Sequence, residues 1–95
     1  MFVNISGYKI KELEENTFLE MIMFEEKMNA QPAGLSHYHI FKDKSEVRKY
    51  WIIEFWFNEL DKEKYDALDS HKYFVSLLEG VTEGKHSYFD CDLIK

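Results

Sequence analysis

The sequence is poor in the residues that mark covalently stapled or membrane-embedded chains. It has one cysteine, Cys91. A lone cysteine excludes an internal disulfide and fits a reducing compartment. Cys91 stands in an alternating apolar stretch, where a packed strand residue is expected. No run approaches the roughly 20 apolar residues that a membrane span needs. Met1 to Ser6 lacks the basic segment and long apolar run of a secretion signal, so a cytoplasmic location is expected. Basic residues are outnumbered, 12 Lys and Arg against 18 Asp and Glu, for a net charge of −6. This balance argues against nucleic acid as a partner, because phosphate binding needs clustered cations. The densest cations, Lys42 with Lys44 and Arg48 with Lys49, read as a solvated hairpin tip. There is no glycine-rich phosphate loop, no CxxC pair and no serine nucleophile motif. Nucleotide cofactors and covalent hydrolysis are therefore unsupported. Linkers, low-complexity segments and internal repeats are also absent.

What the chain has in quantity is aromatic and aliphatic side chains: 45% of its 95 residues are hydrophobic and 17% aromatic. This length makes one domain, residues 1–95. A chain so short buries only roughly two-thirds of its unfolded surface. Self-association is a common remedy for the thin stability margin that results. The aromatics fill a dense core, or they also cover an interface or a pocket.

Residues 2–10 alternate as a strand does, with Val3 and Ile5 on one side and Phe2, Asn4, Ser6 and Tyr8 on the other. From Lys11 the period lengthens. Leu13, Thr17, Met21, Phe24 and Met28 form a helical stripe, widened by Phe18 and Ile22. Asn29 to Gly34, with Pro32, stops it. Leu35–Phe41 alternates again, and a polar turn follows at 42–46. A strongly apolar strand then runs from Val47 or Arg48 to Phe57, paired with its predecessor as a hairpin. Asn58 and Asp61 are both candidate caps for a second helix. Its stripe is Tyr65, Leu68, His71, Val75 and Leu78, and Gly80 ends it. A last strand is predicted from about His86 to Ile94. The order β-α-β-β-α-β is the ferredoxin-like α+β arrangement, a four-stranded antiparallel sheet with two helices on one face.

The two sheet faces differ. One carries Val3, Ile5, Ile53, Phe55, Phe57, Phe89, Cys91 and Leu93, and its hydropathy assigns it to the helices. The other carries Asn4, Ser6, Tyr8, Ile52, Glu54, Trp56, Tyr88 and Asp90. The phase of the second strand is ambiguous, and His37 and His39 are assigned to this second, mixed face. Exposed aromatics mark an interaction surface, while a closed core does not hold an unpartnered glutamate. A semi-enclosed cavity with convergent polar groups satisfies both conditions, as does a flat dimer contact.

The turn Gln31-Pro32-Ala33-Gly34 and the segment Asp66-Ala67-Leu68-Asp69-Ser70-His71-Lys72-Tyr73-Phe74, with the element order, resemble the antibiotic biosynthesis monooxygenase-like (ABM) family of dimeric α/β-barrel proteins. The resemblance covers nearly the whole chain. It implies a homodimer and a small planar aromatic or quinone-like ligand. The activity it implies is cofactor-independent monooxygenation, with a non-catalytic ligand-binding or stress-linked module as the alternative. Haem-degrading relatives use an Asn on the first strand, a Trp on the third and a His on the second helix. Asn4, Trp56 and His71 occur in that order here, although the segment from Trp56 to His71 is longer than the family pattern.

The candidate catalytic residues are therefore His71, Asn4, His37 and His39. A neutral imidazole serves as general base or haem ligand, and an amide orients a substrate oxygen. Candidate substrate-binding residues are Trp56, Tyr8, Glu54 and Tyr73. His37 and His39, about 7 Å apart on one strand face, begin a metal site only if Glu54 or Asp90 completes it. No telling third-ligand spacing exists, so no metal is expected. Each residue also has a plain structural reading: His71 as a satisfied helix residue, Trp56 as packing, Asn4 as a cross-strand bond.

Overall fold

The computed structural model describes residues 1–29 and 32–95, with the backbone alone for 25–29. Its elements are β1 (Phe2–Ile10), α1 (Glu15–Asn29), β2 (Leu35–Lys42), β3 (Lys49–Trp56), α2 (Glu59–Asp66), α3 (Asp69–Leu78) and β4 (Thr82–Asp92). The strands form one antiparallel sheet in the order β2-β3-β1-β4. This is the expected ferredoxin-like arrangement, with the second helix divided in two.

The division has a local cause. Asn58 caps α2, its Oδ1 accepting from the Asp61 N–H at 2.9 Å. The helix closes at Ala67, and Leu68 turns to an extended conformation, φ −66° and ψ 136°. One extended residue re-aims the chain, and α3 starts with Asp69 in its first turn, where the helix dipole favours an anion.

The stripe expected on α1 is corrected. Leu13 is 93% exposed and Phe24 64%, whereas Phe18 is fully buried and Ile22 nearly so. Leu13 precedes the helix in a left-handed turn, φ 69°. Phe24 lies about 240° round the helix from Phe18 at 3.6 residues per turn. Met28 of that stripe and Gln31 of the following turn lie outside the described side chains. The last strand begins at Thr82, before the expected His86, and accommodates Gly84 (φ 70°) at a register shift opposite Gly7 and Lys9.

The larger correction concerns the faces. The groupings on β1, β3 and β4 follow the expected alternation, but the helices cover the mixed face. Ile10, Tyr8, Tyr50 and Ile52 pack with Phe18 and Ile22 of α1 and Leu78 of α3. Phe2, Leu35 and Trp56 pack with Tyr65 of α2. The apolar face, with Ile5, Ile53, Phe55 and Phe89, carries no helix. Hydropathy assigns the greasier face to a chain's own helices only when the other face meets water.

His37 and His39 also change sides. Leu35 pairs with Trp56, yet His37 pairs with Phe55, so Ser36 is an extra residue in β2. This bulge inverts the alternation after Leu35. Leu35, Tyr38 and Ile40 face the helices, and His37 and His39 face away. The His37 ring stacks on Phe55 at 4.3 Å and stands 5.4 Å from the His39 ring. Glu54 and Asp90 lie on the opposite face and do not complete a metal site with them.

Candidate functional site

The core forms two apolar clusters, one with Ile52 and Leu78 and one with Phe2 and Trp56, joined through Tyr38 of β2, and a cavity of about 830 Å³ lies between sheet and helices. Its floor is polar because Asn4, Ser6 and Glu54 occupy inward positions at the middle of β1 and β3, paired across the ladder as Asn4 with Glu54 and Ser6 with Ile52. Asp90 and Tyr88 on β4 pair with Asn4 and Ser6 on the other side.

The floor is internally bonded. Asn4 Nδ2 donates to Asp90 Oδ1 at 2.9 Å, and Ser6 Oγ donates to Asn4 Oδ1 at 3.2 Å. Buried amides require such partners. Glu54 Oε1 accepts from Trp56 Nε1 at 3.4 Å. Desolvation raises the Glu54 carboxyl above the ordinary range, and the nearby Asp66 raises it further, while Lys62, the Trp56 bond and His71 pull the other way. Tyr8 is also pushed up, first by burial and then by Tyr88. At the edge of the sheet His86 is lowered by burial; its Nε2 lies 3.0 Å from Thr82 Oγ1 and its Nδ1 3.2 Å from the Tyr88 hydroxyl.

The roof comes from α2 and α3. Lys62 Nζ donates to Asp66 Oδ1 and Oδ2 at 2.5 and 2.6 Å, an i,i+4 pair across one helical turn. His71 Nε2 lies 3.5 Å from Asp66 Oδ1, and its ring packs on Tyr65 at 4.3 Å. Asp66 thus spans a cation and an imidazole beside the cavity.

Of the residues expected from the sequence, Asn4, Tyr8, Glu54 and His71 line this cavity. Trp56 lies in the core beside the cavity, on the face of Glu54, 0% exposed and against Tyr65 at 5.6 Å. Its indole reaches the site only through Glu54. Tyr73 is 67% exposed on α3 and is not among the lining residues. His37 borders the mouth, but its ring, like that of His39, lies on the far face. Cys91 is exposed on that far face rather than packed. Lys62 and Asp66 escaped sequence reasoning as site residues, although their i,i+4 spacing was a usable signal.

Among the described residues no group of three or more His, Cys, Asp or Glu is arranged to hold a metal ion. No helix among them is long and apolar enough to cross a membrane.

No family model and no curated protein matches this sequence. Solved structures do. A protein from Deinococcus radiodurans described as an antibiotic biosynthesis monooxygenase is 14% identical, with all of this chain and 94% of that one covered and a TM-score of 0.86. One from Nitrosomonas europaea, described the same way, is 10% identical over the full length of both chains, again at 0.86. A variant of SnoaB, a cofactor-independent oxygenase from Streptomyces nogalater, is 11% identical over 93% of this chain and 89% of its own, at 0.78. This chain therefore has the fold of the antibiotic biosynthesis monooxygenase-like proteins.

Proposed function

We propose that the protein is a cofactor-independent monooxygenase that binds a small planar aromatic or quinone-like molecule in the cavity beneath α2 and α3 and works as a homodimer. The observation that carries this reading is a cavity with apolar ends and a hydrogen-bonded polar floor, at the centre of a fold shared with SnoaB. A flat ring fits between the apolar ends, and its oxygen substituents meet the floor.

The chemistry consistent with these residues is proton abstraction from an activated ring carbon, with dioxygen as co-substrate. The carbanion reduces dioxygen, one oxygen atom enters the product as a carbonyl and the other leaves as water. A CH₂ group and O₂ thus give C=O and H₂O without an external reductant. His71 is the proposed base, and Asn4 orients the substrate oxygen. The haem-degrading alternative draws less support: Trp56, which would press on a porphyrin, is buried in the core.

The dimer would form through the face that the helices leave bare, by Ile5, Trp51, Ile53, Phe55 and Phe89. A contiguous apolar face of this kind is a normal association surface. His37 and His39 would then be interface residues rather than bases.

Oxygen uptake tests the activity. With anthrone, a tricyclic ring carrying an activated methylene, the protein should consume oxygen above the uncatalysed rate, and His71→Ala should abolish the increment. Equal uptake with and without protein, across anthrone and a panel of quinols, would leave the non-catalytic ligand-binding module as the better reading.

A further inference from the structure

The cavity is unbalanced in charge. Among the described residues, carboxylates of Glu54, Glu59, Glu63, Asp66 and Asp90 border it. Only two ammonium groups oppose them, Lys62 and Lys72. Lys62 is committed to Asp66 through both oxygens. Lys72 is exposed to solvent.

The carboxylates are not equally engaged. Asp66 holds Lys62 and faces His71, and Asp90 accepts from Asn4. Glu54 stands at the middle of the floor with one long bond, from Trp56 Nε1 to Oε1 at 3.4 Å. Among the described residues Oε2 has no hydrogen-bond partner, and it is not sealed from the cavity. A carboxylate offers about four acceptor positions, so Glu54 has capacity left for a donor in the cavity. The groups facing it are Asn4 on β1, Tyr38 on β2, and Lys62, Asp66 and His71 on the helices.

We propose that this cavity selects an uncharged ring system bearing a hydroxyl group, whose O–H donates to Glu54 Oε2, and rejects the same ring bearing a carboxylate. This rests on the reading of the cavity as the ligand site. The physical reason is twofold. A hydroxyl supplies the hydrogen bond that a desolvated carboxylate lacks. A ligand carboxylate would instead sit beside Glu54 and Asp90 where water screens them poorly, and like charges there repel more strongly than in bulk solvent. The upward shift of the Glu54 carboxyl agrees with a carboxylate short of donors. The same imbalance opposes haem, which carries two propionates.

The test compares two ligands with one ring. Binding of 1,4-dihydroxynaphthalene and of 1,4-dihydroxy-2-naphthoic acid to the whole protein is measured by tryptophan fluorescence, without oxygen, at pH 7. The uncharged diol should bind at least tenfold more tightly. Glu54→Gln should weaken the diol fivefold or more and narrow the ratio, because the amide keeps the shape but loses the charge. Should that variant fail to fold, the wild-type ratio decides alone. A naphthoate that binds as well as the diol, or a variant that leaves both affinities unchanged, overturns the selectivity while leaving the ligand site in place. If neither compound binds up to millimolar concentration, the ligand-site reading falls and takes the selectivity with it.

Discussion

The two faces of the sheet are built from the same four strands and differ in almost every other respect. The face under the helices holds the polar side chains of Asn4, Ser6, Glu54 and Asp90. The bare face holds Ile5, Trp51, Ile53 and Phe55, with Phe89 at 53% exposure. A fold that needed only stability would reverse this, since burying polar groups is favourable only when each finds a partner. The covered face keeps its polar groups by bonding them to one another and by leaving space above them. The bare face keeps its aromatics by stacking them, His37 on Phe55 and Lys49 over Trp51. Enclosed polarity is what a site for chemistry requires, and an uncovered apolar surface is what association requires.

Substitutions separate the two faces, and the largest effect belongs to the covered one. Trp56→Ala removes a fully buried indole between Phe2, Leu35 and Tyr65, and truncations of this kind destabilise by about 3–5 kcal/mol. Chemical denaturation should show that loss. Ile53→Lys acts on the other face. Ile53 is only partly buried, so the protomer should fold with the lysine, but a charge at the centre of the proposed interface should weaken dimerisation by about a hundredfold or more, roughly 3 kcal/mol. Sedimentation velocity at micromolar concentration should find dimers of the parent and protomers of the variant.

Gly7→Ala is smaller and also reports on the bare face. A Cβ at Gly7 would stand 2.7 Å from Trp51 Cζ3 and 2.9 Å from Cε3. The indole lies flat across β1 because position 7 has no side chain. Displacing it should cost about 1–3 kcal/mol, visible as a lowered thermal midpoint and a weaker dimer.

The smallest effect has the opposite sign. The Glu54 carboxyl is raised in the folded chain, chiefly by desolvation. A folded chain that holds this proton more tightly than the unfolded one is at its best below the unfolded value, about 4.3. It loses stability as pH climbs from there through the raised folded value, and the loss is constant above it. Glu54→Gln should therefore raise the melting midpoint at pH 7 and match the parent near pH 4. Melting curves at the two pH values check this, and equal shifts at both would contradict it.

Much of this was legible in the sequence. Alternation in β1, β3 and β4 sorted the residues onto their faces, and the element order followed from the change of period at Lys11 and at Asn58. Asn4, Tyr8 and Glu54 were legible as cavity residues because polar and aromatic positions coincided on one sheet face, and His71 because it lay on the apolar stripe of the second helix. Three things were not. Ser36 inserts into β2 without any glycine to announce a bulge, so His37 and His39 landed on the wrong side. Which face the helices cover could not be read from hydropathy, because the more apolar face is the one they leave bare. Leu13 continues the apolar period of α1, but its left-handed backbone takes it out of the helix.

The chain's two tryptophans report one face each. Trp56 Nε1 donates to Glu54 beside the cavity, and Trp51 Nε1 donates to Asp43 Oδ2 at 3.1 Å beside the bare face. The most direct measurement follows the two indole N–H resonances of nitrogen-15-labelled protein through an anaerobic titration with 1,4-dihydroxynaphthalene and through serial dilution. The ligand should move the Trp56 signal and leave Trp51 in place, while dilution should move Trp51 alone. A ligand that shifts Trp51 and leaves Trp56 untouched would contradict the assignment of chemistry to the covered face and association to the bare one.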